Sequence, residues 1–241
     1  MEKDCVLEVL NIKKIFSDGT IALDDVSFSI FRGEFTVLAG KNGSGKSVLM
    51  TLIAALEEPT DGKITLHNAK PGLVFQEAES QILGETPFED VSFGAKNCGL
   101  KKNALSKKVA WSLEQTGLYH KKDANARMMS GGEKRRLAVS GILAMDKDLL
   151  IFDEPFANLD FDGVKSVCEI LRQLKDDGKT VIVLTHELEK ILALADRFII
   201  LNKGKILFNG SPSDGLTLNL EEFGIRNPLR EYKMLGDLQW L

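Results

Sequence analysis

Apolar positions recur along this chain with two different periods, and the changes of period divide it into stretches. Near the N-terminus the reading is of short strands. Val6 to Ile15 mixes apolar and polar positions, and Val26-Ser27-Phe28-Ser29-Ile30 alternates between two faces. After the turn Arg32-Gly33-Glu34 comes the β-rich run Phe35-Thr36-Val37-Leu38-Ala39, then a glycine-rich loop. A helix is expected from Gly45 to Glu57, stopped by Pro59 and Gly62. From 87 to 146 the pattern turns helical: Leu105, Val109 and Leu113 recur every four residues, the mark of a buried helix face. Past that, Leu149–Asp153, Thr180–Leu184 and Arg197–Leu201 read as buried strands. A helical stripe of Val164, Val167, Cys168 and Leu171 lies between the first two. Strands alternating with helices predict an α/β core with a mainly parallel sheet, into which a helical lobe is inserted.

Composition narrows the function classes. The chain has 241 residues, enough for one large domain or two lobes sharing a core. Apolar residues make up 44% and charged residues 27%, as in ordinary globular proteins. The net charge of −4 supplies no field that would draw nucleic acid, so none is expected as a partner. No stretch has the 18 or so uncharged apolar residues of a membrane span, and Met1-Glu2-Lys3-Asp4 opens no signal peptide. Any membrane role is therefore expected to run through a partner. Cys5, Cys98 and Cys168 are too scattered for a metal pair or a disulfide framework and read as reduced thiols.

The chemistry starts in the glycine-rich loop. Gly40-Lys41-Asn42-Gly43-Ser44-Gly45-Lys46-Ser47 fits G-x-x-x-x-G-K-[ST], with a strand before it and a helix after it. Glycines let backbone N–H groups wrap an anion without Cβ clashes. The helix that follows aims its positive end at the phosphates. Lys46 supplies a point charge for the β- and γ-phosphates, and the Ser47 hydroxyl is a ligand for Mg²⁺. The strand Leu149–Asp153 ends in an acid. Beside a phosphate loop, Asp153 is expected to orient the Mg²⁺ and Glu154 to act as general base on the attacking water. The bland alternative, a helix-capping acid pair before Pro155, loses its force once the phosphate loop is present.

Between these motifs, Met129-Ser130-Gly131-Gly132-Glu133 resembles the LSGGQ signature of ABC ATPases. That resemblance implies a P-loop NTPase (RecA-like) core with an N-terminal antiparallel β-subdomain. It divides the chain into a core lobe of about 1–83 and 147–212, a helical lobe of about 84–146 and a tail of about 213–241. It implies that Ser130, Gly131 and Gly132 act in trans, on the ATP of a facing subunit. The other family motifs fall in order. Gln76 matches the Q-loop glutamine that senses Mg²⁺ and the membrane partner. Asn158-Leu159-Asp160 matches the D-loop, with Asp160 at the dimer seam, and His186 matches the switch histidine that contacts the γ-phosphate. Phe16 resembles the aromatic that stacks on adenine; a core aromatic is its alternative reading. Three positions depart from the pattern. Val48, in the ATP-binding segment, stands where a threonine is usual, Met129 where a leucine is, and Glu133 where a glutamine is. None removes a catalytic group, so Glu154 and His186 are expected to be active.

Gln81, five residues after Gln76, and the segments Phe88–Gly94 and Ser140–Met145 are similar to ATPases of energy-coupling-factor importers. In those importers of vitamins, cobalt or nickel, a short helix at Gln81 touches the membrane subunit. The alternative for Gln81 is an exposed helix residue. Glu77, Glu79, Glu85, Glu89 and Asp90 make this stretch acidic, either a solvated face or a docking surface for basic coupling helices. The expectation is an ATP- and Mg²⁺-dependent ATPase subunit. It pairs with a second, identical or paralogous ATPase beneath transmembrane subunits, peripheral to the cytoplasmic face of the cell membrane. A non-transport ABC ATPase is the alternative, disfavoured because no long coiled-coil insertion or second ATPase domain occurs. A P-loop kinase or GTPase would lack the signature. The tail, with Phe223, Pro228, Tyr232, Met234 and Trp240, is expected to pack on the core or meet a dimer partner.

Overall fold

In the computed structural model, which describes residues 4–229, the strand expectations hold and one helix is shorter than its sequence suggested. The N-terminal strands β1 (Cys5–Ile15) and β2 (Ile21–Phe31) form an antiparallel hairpin, and β4 (Asp61–Leu66) adds antiparallel to the far edge of β1. Between them run β3 (Phe35–Ala39) and α1 (Lys46–Ile53). The helix stops four residues before Glu57, because Ala55 takes a left-handed turn (φ +56°) and Leu56 has no core to enter.

The second sheet holds β5 (Pro71–Val74), β6 (Leu149–Asp153), β7 (Thr180–Leu184), β8 (Arg197–Asn202) and β9 (Lys205–Gly210) together with β3. Its order is β5-β6-β7-β3-β8-β9, parallel throughout except for β9. Every residue of β3, β6 and β7 is buried, which is why these strands read as continuous apolar runs. One face packs on α1 and the antiparallel sheet. The other packs on two helices: α4 (Gly131–Ala144) and α5 (Phe161–Asp176), the latter bearing the predicted stripe. The last described segment, after the short α6 (Pro212–Gly215), buries Leu220 and Ile225 in that same cluster. Tyr232, Met234 and Trp240 of the expected tail contact lie outside the described residues.

Helices α2 (Pro87–Asn97) and α3 (Lys102–Gln115) share a separate apolar cluster with α4. Helix α4 therefore has two buried faces: Ala138, Val139 and Ile142 toward the sheet, Leu137 and Ala144 toward α2 and α3. On its sheet-facing side lies Arg135, only 4% exposed. Its guanidinium donates to the carbonyls of Phe75 (2.8 Å), Gln76 (2.6 Å) and Ala157 (3.4 Å), tying α4 to the segments after β5 and β6. Burial lowers its pKa and the nearby Asp153 carboxylate raises it. Buried carbonyls stripped of their donor cost roughly 1–3 kcal/mol. Arg135→Met should therefore lower the free energy of unfolding by an amount of that order, read as a lower urea midpoint at an unchanged m-value. An unaltered midpoint would show that the guanidinium contributes nothing net.

Candidate functional site

The site forms where three parallel strands end. Leu38 of β3, Leu184 of β7 and Asp153 of β6 sit in one row of the sheet, so the residues after each strand emerge together. These are Gly40 with the loop beyond it, Glu154, and Thr185 with His186. Two bonds close the row: the Glu154 N–H donates to Leu184 O (2.9 Å) and the Thr185 N–H to Leu38 O (3.2 Å).

The loop needs its glycines. A Cβ on Gly40 would stand 2.2 Å from Leu201 O, and one on Gly45 2.6 Å from Ala22 O. Gly45, at φ +103°, is also the N-cap of α1, whose first-turn N–H groups point into the loop. Lys46 is buried and turns its ammonium across the loop, donating to Gly40 O (2.7 Å) and Lys41 O (3.4 Å). That ammonium lies 3.5 Å from Glu154 Oε1, and His186 Nδ1 lies 3.0 Å from the same oxygen. Glu154 is buried in the left-handed region at φ +44°, a strained setting for a non-glycine residue.

Asp153 is buried beside it. Burial pushes its carboxyl pKa up, a bond from Ser47 pulls it down, and the neighbouring Glu154 charge pushes it up again. Among the described residues its Oδ1 has no hydrogen-bond partner, and neither does the buried Ser44 Oγ. An orphaned oxygen on a carboxylate that the Ser47 hydroxyl also meets suits a hard divalent cation such as Mg²⁺. A cavity of about 340 Å³ is lined by Asn42 to Val48, Gln76, Glu154 and His186, large enough for a polyphosphate.

Other expected residues lie apart. Phe16 sits on the turn between β1 and β2 and does not line this cavity. At 38% exposure it is no core aromatic, and the Lys14 ammonium lies 5.8 Å from its ring centre. Ser130 and Gly131 are exposed at the start of α4. Gly131 lines a different cavity of about 520 Å³, with Glu79, Lys134, Arg135 and Asn158; Gln76 borders both cavities. Asp160 caps α5 by accepting from Gly163 N–H (2.8 Å). Gln81, in a 3-10 turn over Ala78–Gln81, folds back on the open edge of β5. Its Oε1 accepts from Phe75 N–H (2.9 Å) and its Nε2 donates to Leu73 O (3.0 Å). Sequence reasoning missed Arg135, although its spacing from Ala138, Val139 and Ile142 marks the buried stripe of α4.

The raised carboxyl pKa of Asp153 has a stability consequence. The folded chain holds that proton to higher pH than the unfolded chain, so this group favours folding in acid. It opposes folding as pH rises through its folded pKa. Asp153→Asn should raise Tm at pH 7, by roughly 2–4 °C for each kcal/mol relieved, with the gain narrowing as pH falls toward about 4. A lower Tm at pH 7 would show that the carboxylate is held favourably by its neighbours.

Comparison with known proteins agrees with this geometry. The ABC transporter family model matches residues 23–157, more than half of the chain. An energy-coupling factor transporter ATP-binding protein of Methanosarcina acetivorans is 35% identical over 237 residues, 92% of this chain and 86% of that protein. One from Clostridium perfringens is 34% identical over 228 residues, 88% of this chain and 80% of that protein. The solved structure of cbiO1 from Clostridium perfringens, part of the ABC transporter complex cbiONQ, superposes with a TM-score of 0.81 at 32% identity. It covers 94% of this chain and 97% of its own. A dimeric ATP-binding cassette in a post-hydrolysis state, bound to ADP and Pi, gives 0.77 at 26% identity, covering 86% and 98%. The chain thus belongs to the ABC transporter ATP-binding family and is an ATPase.

Proposed function

We propose that this ATPase is one half of an ATP-closed pair that drives a membrane importer of energy-coupling-factor type, with a vitamin or transition-metal ion as cargo. The observation that carries the pairing is the start of α4. A Cβ on Gly131 would meet nothing within 4 Å, so no neighbour in its own chain demands a glycine there. Neither Ser130 nor either glycine lines the phosphate cavity of its own chain. A glycine that the chain itself does not need suits the close approach of a ligand from outside it. The importer type draws on the named relatives and on the complex to which cbiO1 belongs. A second ATPase subunit and transmembrane subunits are the partners, at the cytoplasmic face of the membrane. A non-transport ATPase is the weaker reading, with no coiled-coil insertion among the described residues.

In this reading the loop from Gly40 to Val48 wraps the phosphates, Lys46 meets the β- and γ-phosphates, and Phe16 stacks on adenine. Ser47, Gln76 and Asp153 hold Mg²⁺, which when bound neutralises developing charge on the phosphates. Glu154 accepts a proton from water as the water oxygen bonds to the γ-phosphorus and the bond to ADP breaks. His186, 3.0 Å from Glu154, orients that carboxylate and contacts the γ-phosphate. Ser130, Gly131 and Gly132 reach the ATP of the facing subunit, and Asp160 lies along the seam.

Docking on the membrane subunits is assigned to the 3-10 turn that Gln81 holds and to the start of α2. Leu83, between the turn and α2, and Phe93, in the second half of α2, are 66% and 52% exposed, and the acids Glu85 and Glu89 are exposed too. Two acids of the stretch are already engaged: Asp90 accepts from the Leu83 and Gly84 N–H groups, and Glu79 pairs with Lys134.

Glu154→Gln should bind ATP, lose about 10²–10⁴-fold in hydrolysis, and elute as a dimer only with ATP present. A protein that stays monomeric at saturating ATP, alone and with its paralogue, would overturn the paired mechanism. Separately, Glu85→Lys with Glu89→Lys should release the ATPase from detergent-solubilised membrane subunits while ATP hydrolysis by the free chain continues. Undiminished co-purification would make the acidic stretch a solvated face.

A further inference from the structure

The signature segment carries an acid where a glutamine is usual in the family it resembles, and the surrounding side chains are arranged around that acid. Glu133 and Ser130 form a reciprocal cap at the start of α4. The Ser130 N–H donates to Glu133 Oε2 (2.9 Å), and the Glu133 N–H donates to Ser130 Oγ (3.3 Å). The other carboxylate oxygen accepts from Lys121 Nζ at 2.5 Å. Lys121 ends a separate 3-10 turn, Tyr119–Lys121, that follows α3. Together the ammonium and the Ser130 N–H hold the Glu133 carboxyl down to about 2, so the side chain is an anion at any working pH.

That anion suits the positive end of α4 but not a second anion arriving there. A phosphate drawn to the first-turn N–H groups of Gly131 and Gly132 would share the helix end with a carboxylate. Like charges juxtaposed across an interface are strongly unfavourable. Lys134, next along the helix, is committed to Glu79. Lys121 is the cation paired with the Glu133 carboxylate itself. With both carboxylate oxygens engaged, the acid is held in the cap. The hydroxyl proton of Ser130 stays free to be donated, because Ser130 Oγ acts as acceptor in the cap.

We propose that Lys121 is a positioning residue that neutralises and tethers Glu133, so that Ser130, Gly131 and Gly132 can take the phosphate of a facing subunit's ATP. This rests on the paired reading above and adds the pair that makes an acidic signature workable. Lys121 has no part in the phosphate loop of its own chain; its effect belongs to dimer closure.

The test follows ATP-driven dimerisation of Glu154→Gln by size-exclusion chromatography across ATP concentrations, with fluorescent-nucleotide binding to the dispersed monomer as internal reference. Adding Lys121→Met should raise the ATP concentration for half-maximal dimerisation by about tenfold or more at low salt. The shift should shrink as KCl screens the charge. Lys121→Arg should keep the parent behaviour, and adding Glu133→Gln to Lys121→Met should restore it. A parent that never dimerises with ATP overturns the paired mechanism and this inference with it. A parent that dimerises while Lys121→Met dimerises equally well overturns this inference alone. So does a Lys121→Met defect that Glu133→Gln fails to rescue, since the lysine would then serve only to join α3 to α4.

Discussion

Parallel pairing of β3, β7 and β6 fixes the geometry of the site. Their register sets Leu38, Leu184 and Asp153 level, and the chain leaves all three strands on the same side of the sheet. One residue of slippage in any strand would turn its buried side chains to the opposite face and move its terminal group by about 3.3 Å. Because both faces of these strands are covered by apolar clusters, slippage would disrupt two cores at once. The stiffness that holds Lys46, Glu154 and His186 together thus comes from packing well away from them.

That stiffness supports an unfavourable local arrangement. Asp153 is buried with one oxygen unpartnered, Ser44 Oγ is buried likewise, and Glu154 occupies a strained backbone region. Lys46 and Arg135 are buried cations in the same neighbourhood. Concentrating charge in a desolvated pocket costs stability until ligands supply the missing partners. The raised carboxyl pKa of Asp153 reflects the same cost.

Helix α4 joins that rigid centre to the rest of the molecule. Its two apolar faces belong to different clusters, and Arg135 spans from it to the carbonyls of Phe75, Gln76 and Ala157. Any displacement of the segment around Gln76 therefore bears on the helix whose first turn carries Ser130, Gly131 and Gly132. At that first turn the Glu133–Lys121 pair balances charge locally, so the signature end of the helix is set by residues from two separate segments.

The sequence by itself determined the strands, the order of motifs and the phosphate loop. Each of these is local: a run of apolar residues buried on both faces, or glycines whose φ and clearances admit no side chain. It also determined that Asp153 ends a buried strand. Tertiary structure alone decided what those groups touch. Glu154 meets Lys46 and His186, far away in sequence, only because strand register aligns them. Gln81 reads from sequence as a contact for a membrane subunit or as an exposed helix residue; only the fold shows its amide on the open edge of β5, because an unpaired strand edge offers donors and acceptors that an amide matches. Phe16, which resembles an adenine-stacking aromatic with a core aromatic as the alternative, is seen to be no core residue only once the hairpin turn is built. The cations that balance buried or capped acids, Arg135 and Lys121, carry no motif. Charge pairing depends on distance through space, and spacing along the chain does not record it.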